Sequence, residues 1–341
     1  MSEGTSALVT QLDLIEWLKG DVASNWGEWL LSGTPGSNRL RGRGGNEVMG
    51  PVLSELMNKA ETVFVSRDMC TIIEAAAETL PDVPLQEEQV FWPRAFIYFE
   101  RPIRHADPMT PADGFTIDTR AIYFGSGPVM DGDAANDAAE AVGLKNYTEL
   151  PENQQVTFSE KGLTHVTFVD IDDAFQAIGQ SSDEIGIRVF PFDMSGWIYG
   201  KSWETVEKKL RPGFTGAEVD PGLAQQRKLL LATLLIAQQY IAVHSSQRPT
   251  RQVRRRAERA GIESGDITYI TLRRNSARVG EREKTSEEWK GYDYRFPVKG
   301  HWKHQFYPSK GEHHLIWIDP YIKGHEDLPL IIKDKVYKLV R

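Results

Sequence analysis

Five of the eight histidines fall between His301 and His325. His301 and His304 stand three apart, His313 and His314 are adjacent, and Trp302, Lys303, Tyr307, Lys310 and Trp317 are interspersed among them. Three chemistries are open to such a set. A metal centre wants converging imidazoles with a carboxylate or an outer layer of support. His301-x-x-His304 offers two ligands on a turn, without the Glu-containing pattern of a zinc protease, so no metal or cofactor is expected. A metal-independent ribonuclease or toxin-like phosphodiesterase wants a general base, a general acid and cations for the phosphorane charge. His301, His304, His313, Lys303 and Tyr307 are the candidates for those catalytic roles. The third chemistry is not catalytic. Aromatic rings stack bases while cations neutralise phosphates, or Trp302 and Trp317 simply pack in a sheet.

A second set lies upstream in RPTRQVRRRAERAG, residues 248–261. The pattern predicts a helix that starts near Pro249-Thr250 and stops at Gly261, a C′ glycine. Arg251, Arg255 and Arg259 recur at i, i+4 and i+8 and share one face, which Arg248, Arg254 and Arg256 widen. Val253, Ala257 and Ala260 give the opposite edge. Six arginines and one glutamate in twelve residues repel one another unless anions or carboxylates compensate. Phosphates suit the planar guanidinium fork. The competing partners are carboxylates from the rest of the chain. The strand expected over ITYITLRR ends in Arg273 and Arg274. The nucleic-acid-binding candidates are therefore Arg251, Arg254, Arg255, Arg259, Arg273, Arg274, Trp302 and Lys303, acting chiefly on the phosphate backbone.

The charge distribution sharpens this contrast. Before Arg248 there are 19 Lys and Arg against 35 Asp and Glu, a balance of −16; from Arg248 onward there are 21 against 13, or +8, and together they return the net −8. Opposite signs imply either a basic face for a partner or contact between the two portions. A third function follows from the acidic portion: a protein-interaction factor that binds a basic host protein through its N-terminal part. Whether the chain is an enzyme is left open by residue types alone.

Cys70 is the one cysteine, which excludes an intrachain disulfide and a Cys-based zinc site and fits a reducing cytoplasm. MSEGTSALVTQLD lacks the basic and apolar regions of a signal peptide. The most apolar run, Leu229 to Ala237, has nine residues where a membrane span needs about 20. No membrane partner is expected, and the run predicts a buried helix.

The elements that must hold these residues read as α+β. Helical spacing marks residues 7–32, 47–60 and 67–80, the last stopped by Pro81. Strand-like alternation marks 91–103, 115–127, 163–172 and 184–193, too closely spaced for intervening helices, so the expected sheet is an antiparallel meander. A long helix is expected over about 221–246, with His244 near its end. Strands are expected again over 292–302, 314–321 and the closing VYKLVR. The Gly- and Arg-rich SGTPGSNRLRGRGGN, residues 32–46, lacks the Lys-Ser/Thr of a phosphate-binding P-loop and reads as a surface loop. Domains are expected at 1–85 (helical), 86–215 (antiparallel β-rich) and 216–341 (core helix with a basic α+β part). A winged-helix arrangement of 223–341, with 250–260 as its recognition helix, is one form the last could take.

The C-terminal pattern GHWKHQFYPSKGEHHLIWIDPYIKG, with FIYFERPI upstream, resembles uncharacterised proteins of actinobacteria and their phages. The residues that carry the resemblance are Gly300, His301, Trp302, Gln305, Tyr307, Trp317, Ile318, Pro320 and Gly324, and it covers roughly residues 90–341. It implies a phage or mobile-element origin and brings no established activity. The leading expectation is a cytoplasmic nucleic-acid-binding protein, a regulatory or accessory factor of such an element.

Overall fold

Eleven of the sixteen regular elements among the described residues are strands or helices of one mixed α/β layer system, and the reason begins with a short apolar run. ETVFV forms β1 (Glu61–Val65), buried at every position after Glu61. A run that is apolar on both faces has to lie in the middle of a sheet with helices above and below. The computed structural model describes residues 3–19, 53–104, 118–130, 159–170, 172, 187–201, 221–262, 265–273, 294–309, 311–324 and 327–331. Two compact units emerge, Met1–Leu272 and Arg273–Arg341.

In the first unit α1 (Glu3–Leu18) precedes β1, and α2 (Arg67–Thr79) follows it. Four strands come next: β2 (Arg94–Ile103), β3 (Thr119–Met130), β4 (Ser159–Asp170) and β5 (Val189–Ile198). Then come α3 (Pro221–Ala237), β6 (Ala242–Gln247), α4 (Arg251–Arg259) and β7 (Ile267–Leu272). The seven strands make one sheet in the order β5-β4-β3-β2-β1-β7-β6. β2 to β5 pair antiparallel, as the alternation predicts, and β6 pairs antiparallel with β7. β1 is parallel to both β2 and β7. The fold is therefore α+β with a mixed sheet, not a pure meander.

The period of two sorts side chains to two cores. Phe64, Phe96, Tyr123, Val166, Phe168 and Tyr269 face α1 and share a cluster with Leu8, Leu12, Ile15, Val253 and Ala257. Residues of the other parity, such as Val63, Val65, Ile97 and Ile122, are equally buried outside that cluster. α2 lies against β2 and β7, and α3 packs along α2. The apolar run of α3 is buried from Leu229 to Ala237, apart from the polar but equally buried Thr233, as an all-round apolar helix requires.

Three expectations change. The long helix stops at Ala237, eight or nine residues early, and 242–247 is an edge strand. The stop has a local cause: Gln238, Gln239 and Tyr240 bring polar and exposed groups where a continued helix would bury them, and Ala242 N–H bonds back to the Gln239 carbonyl. The compact units divide after Leu272 instead of near 85 and 215, because β1 and α1 are integral to the sheet and core of residues 94–272. A winged helix is not formed either: α4 connects β6 to β7, neighbouring strands of the large sheet. Residues 32–46, 131–155 and 335–341 lie outside the described residues.

The second unit holds two antiparallel pairs. β9 (His301–Tyr307) pairs with β10 (Glu312–Ile318), and β8 (Phe296–Val298) pairs with β11 (Tyr321–Lys323). Among its described residues only Trp317 is buried. Among all described residues no helix is long and apolar enough to cross a membrane.

Candidate nucleic-acid interface

The arginine helix forms where the sequence puts it. Thr250 is the N-cap, and its carbonyl accepts from Arg254 N–H at 3.0 Å. At the other end Gly261 takes φ 69°, a left-handed conformation that glycine adopts without strain. Gly261 N–H donates to Glu258 O at 3.2 Å and Ile262 N–H to Ala257 O at 2.9 Å, the paired bonds of a Schellman stop. Val253, Ala257 and Ile262 are buried and fix one side of the helix in the α1 core.

The remaining arginines divide sharply. Arg256 Nη2 reaches Asp13 Oδ1 at 2.7 Å and Glu16 Oε2 at 2.6 Å, both on α1. Its guanidinium pKa is raised, chiefly by the hydrogen bond to Glu16. Arg251, Arg255 and Arg259 are exposed, and none has a carboxylate partner among the described residues. Arg259 Nε donates only to the Arg255 carbonyl at 3.2 Å. Arg254 is half-buried, and its Nε has no hydrogen-bond partner among the described residues. Among the described residues Arg256 is thus the one of the six held by carboxylates, and the i, i+4, i+8 stripe is exposed.

Magnitudes show why this stripe survives. Two like-charged i, i+4 pairs, Arg251–Arg255 and Arg255–Arg259, cost roughly 0.2–0.5 kcal/mol each. Burying Val253 and Ile262 stabilises by about 1.5–3 kcal/mol apiece. The core and the cap outweigh the repulsion, so the helix carries its charge without an anion.

Of the other basic candidates, Arg273 is exposed and Arg274 lies outside the described residues. The histidine candidates sit on the β9–β10 ribbon, whose register assigns each to a face. Cross-strand partners share a face, so His301, Lys303 and Tyr307 lie with His314 and Glu312, while Trp302, His304 and Phe306 lie with His313 and Trp317. His301 pairs with Ile318 and His314 with Gln305. On that face the two imidazoles are therefore four strand positions apart, about 13 Å at 3.3 Å per residue. The catalytic candidates are divided between the faces: His301, Lys303 and Tyr307 lie on one, while His304 and His313 lie on the other as diagonal neighbours two strand positions apart. Near the turn, His313 stacks tilted on Phe306 at 4.9 Å and His314 meets Tyr307 edge-on at 5.2 Å; His314 Nε2 also lies 3.4 Å from Glu312 Oε2. Among the described residues no group of three metal-ligating side chains converges.

The residues of the Gly-His-Trp pattern have a packing role. Trp317 meets Trp302 edge-on at 5.5 Å and donates Nε1–H to Asp319 Oδ1 at 2.9 Å. A Cβ on Gly300 would lie 2.3 Å from Trp317 Cζ2, so only glycine lets the indole close over the strand. Trp302, half-buried in this pair, offers one partly open ring, and Lys303 is exposed on the other face.

Sequence reasoning missed Asp13 and Glu16 as the groups that position α4, since 240 residues separate Arg256 from Glu16. It also missed an aromatic step beside β6. Phe91 and Trp92 lie 3.8 Å apart by ring centroid, and His244 stands 5.9 Å from Phe91 and 6.2 Å from Trp92. His244 Nε2–H donates to Ala237 O at 2.7 Å, at the C-terminus of α3. The expected proximity of His244 to that helix end is met by a strand residue reaching back.

No family model matches the chain. No curated protein matches it. The chain is similar over 94% of its length to the crystal structure of AcrVA2, covering 96% of that chain, at 13% identity and a TM-score of 0.34.

Proposed function

We propose that this protein binds nucleic acid, gripping the phosphate backbone with the Arg251, Arg255 and Arg259 stripe of α4. The observation that supports it is the exposed face of that helix, which has no carboxylate partner among the described residues, on a helix fixed by the Arg256 contacts to Asp13 and Glu16. Among the described residues no internal ion pair has to break before these guanidinium groups meet a phosphate. Arg254 widens the stripe, and Arg273, Arg274, Lys303 and Trp302 are separate candidates for phosphate or base contacts. The setting is the cytoplasm, and the phage or mobile-element resemblance fits a regulatory or accessory role.

Binding is expected to weaken with salt, because each phosphate contact releases condensed counterions. Replacing Arg251, Arg255 and Arg259 together by Ala should lower the slope of log affinity against log salt by about 2–3. Fluorescence anisotropy with a labelled oligonucleotide at two or more salt concentrations reads this directly. Equal affinity and slope in the triple variant would falsify the proposal. The ribonuclease alternative needs an acid and a base on one side of a phosphate, for which His304 and His313 share a ribbon face while His301 lies on the other. The host-protein alternative draws on acidic residues of α1, two of which are already engaged by Arg256.

A further inference from the structure

The sheet ends in β6, which pairs with β7 on one side and has no second neighbour among the described strands. Ser245, Ser246 and Gln247 on this edge are exposed, and so is Arg248 immediately after it. At one end of the edge is the Phe91, Trp92 and His244 step. Phe91 is 39% exposed and His244 is exposed, while Trp92 beneath them is 5% exposed. The layer is therefore a rigid buried indole with two open rings above it. At the other end α4 begins at Arg251, seven residues from His244. A chain spans at most about 3.6 Å per residue, so the two ends are within about 25 Å.

An exposed aromatic step alone says nothing about its occupant. Here the adjoining edge is polar, with Ser246 Oγ donating to Asp266 Oδ2 at 3.3 Å, and then cationic from Arg248 onward, which suits a ligand with apolar faces at intervals along a polyanion. A duplex keeps its bases stacked inside and offers only phosphates. A single strand offers both. We propose that the β6 edge is a track for single-stranded nucleic acid, with a base stacked on Phe91 beside His244 and the following phosphates drawn to Arg248 and Arg251. This rests on the phosphate-binding reading above and adds the strandedness of the ligand. Polar edge groups accept any sequence, so the track reads little of the base identity.

The test compares labelled single strands of about 15 nucleotides with abasic strands and with a duplex of equal length, in wild type and variants. Wild type is expected to prefer the base-bearing strand over the abasic one. Phe91→Ala should weaken the base-bearing strand about tenfold and leave the abasic strand unchanged, since one stacked base is worth about 1–3 kcal/mol. Phe91→Trp keeps a ring in place and should retain the preference, which separates lost stacking from a folding defect. An unchanged preference in Phe91→Ala, or tighter binding of duplex by wild type, overturns the track while leaving phosphate binding by α4 intact. Absence of salt-sensitive binding to all three probes removes the track together with the reading beneath it.

Discussion

Arg255 and Arg256 are adjacent, carry the same charge and have different work. Arg256 is held by two carboxylates of α1, partly shielded from water, whereas Arg255, about 100° further round the helix, is exposed. Charge-assisted hydrogen bonds of this partly exposed kind contribute on the order of 1 kcal/mol. Arg256→Ala should therefore lower unfolding stability by about 1 kcal/mol. Arg255→Ala should change stability by less than about 0.5 kcal/mol, because it removes two like-charged neighbours and no partner. Urea midpoints of the two variants, with the binding assay alongside, check the division. The helix-holding residue should move the midpoint, and the outward one should move affinity. A reversal of that pattern would mean that Arg256, and not the stripe, meets the ligand.

At the scale of elements, legibility followed from how local the cause was. α4 could be read because its limits are set by Thr250 and Gly261 themselves and its faces by a 3.6-residue period. β2 to β5 could be read from alternation. β1 could not, because a five-residue run with three apolar side chains between two helices does not reveal that its parallel partners are β2 and the distant β7. The end of α3 was equally obscure: an exposed, polar edge strand carries no apolar period to announce itself. The histidine ribbon shows a related effect, since sequence neighbours such as His313 and His314 fall on opposite faces of a two-stranded sheet while His304 and His313, nine residues apart, share one. One histidine outside that cluster shows what the fold does to an imidazole. His165 on β4 is fully buried, and neither ring nitrogen has a hydrogen-bond partner among the described residues. Burial, reinforced by the charge of Arg227 on α3, pushes its pKa down to about 3. Below the ordinary value near 6.5 the unfolded chain takes up a proton that the native ring refuses. Stability contributed by this site is thus whole above pH 6.5 and declines as pH falls toward 3, with a slope approaching about 1.4 kcal/mol per pH unit. Urea midpoints at pH 7, 6 and 5 should fall more steeply in wild type than in His165→Leu. Parallel profiles would show that the ring is hydrated in the native state.

For the whole molecule the polarity of the sequence does not coincide with the structural division. The unit Met1–Leu272 has 25 basic against 38 acidic residues, net −13, and yet carries α4; Arg273–Arg341 has 15 against 10, net +5. A cationic stripe on an anionic body orients a polyanion, since the same field that attracts phosphates at α4 repels them elsewhere. The arginines, their α1 supports, the β6 edge and the aromatic step all belong to the first unit. The seven strands and the helices that cover them are complete within it. A chain ending at Leu272 should therefore fold cooperatively and keep salt-dependent binding, with affinity reduced only by what Arg273, Arg274, Trp302 and Lys303 add. Circular dichroism melting and anisotropy titration of residues 1–272 measure both properties. A truncated chain that melts cooperatively but no longer binds would move the interface to the β9–β10 ribbon, where Lys303 and the exposed aromatic rings would have to supply the grip that the arginine stripe is assigned here.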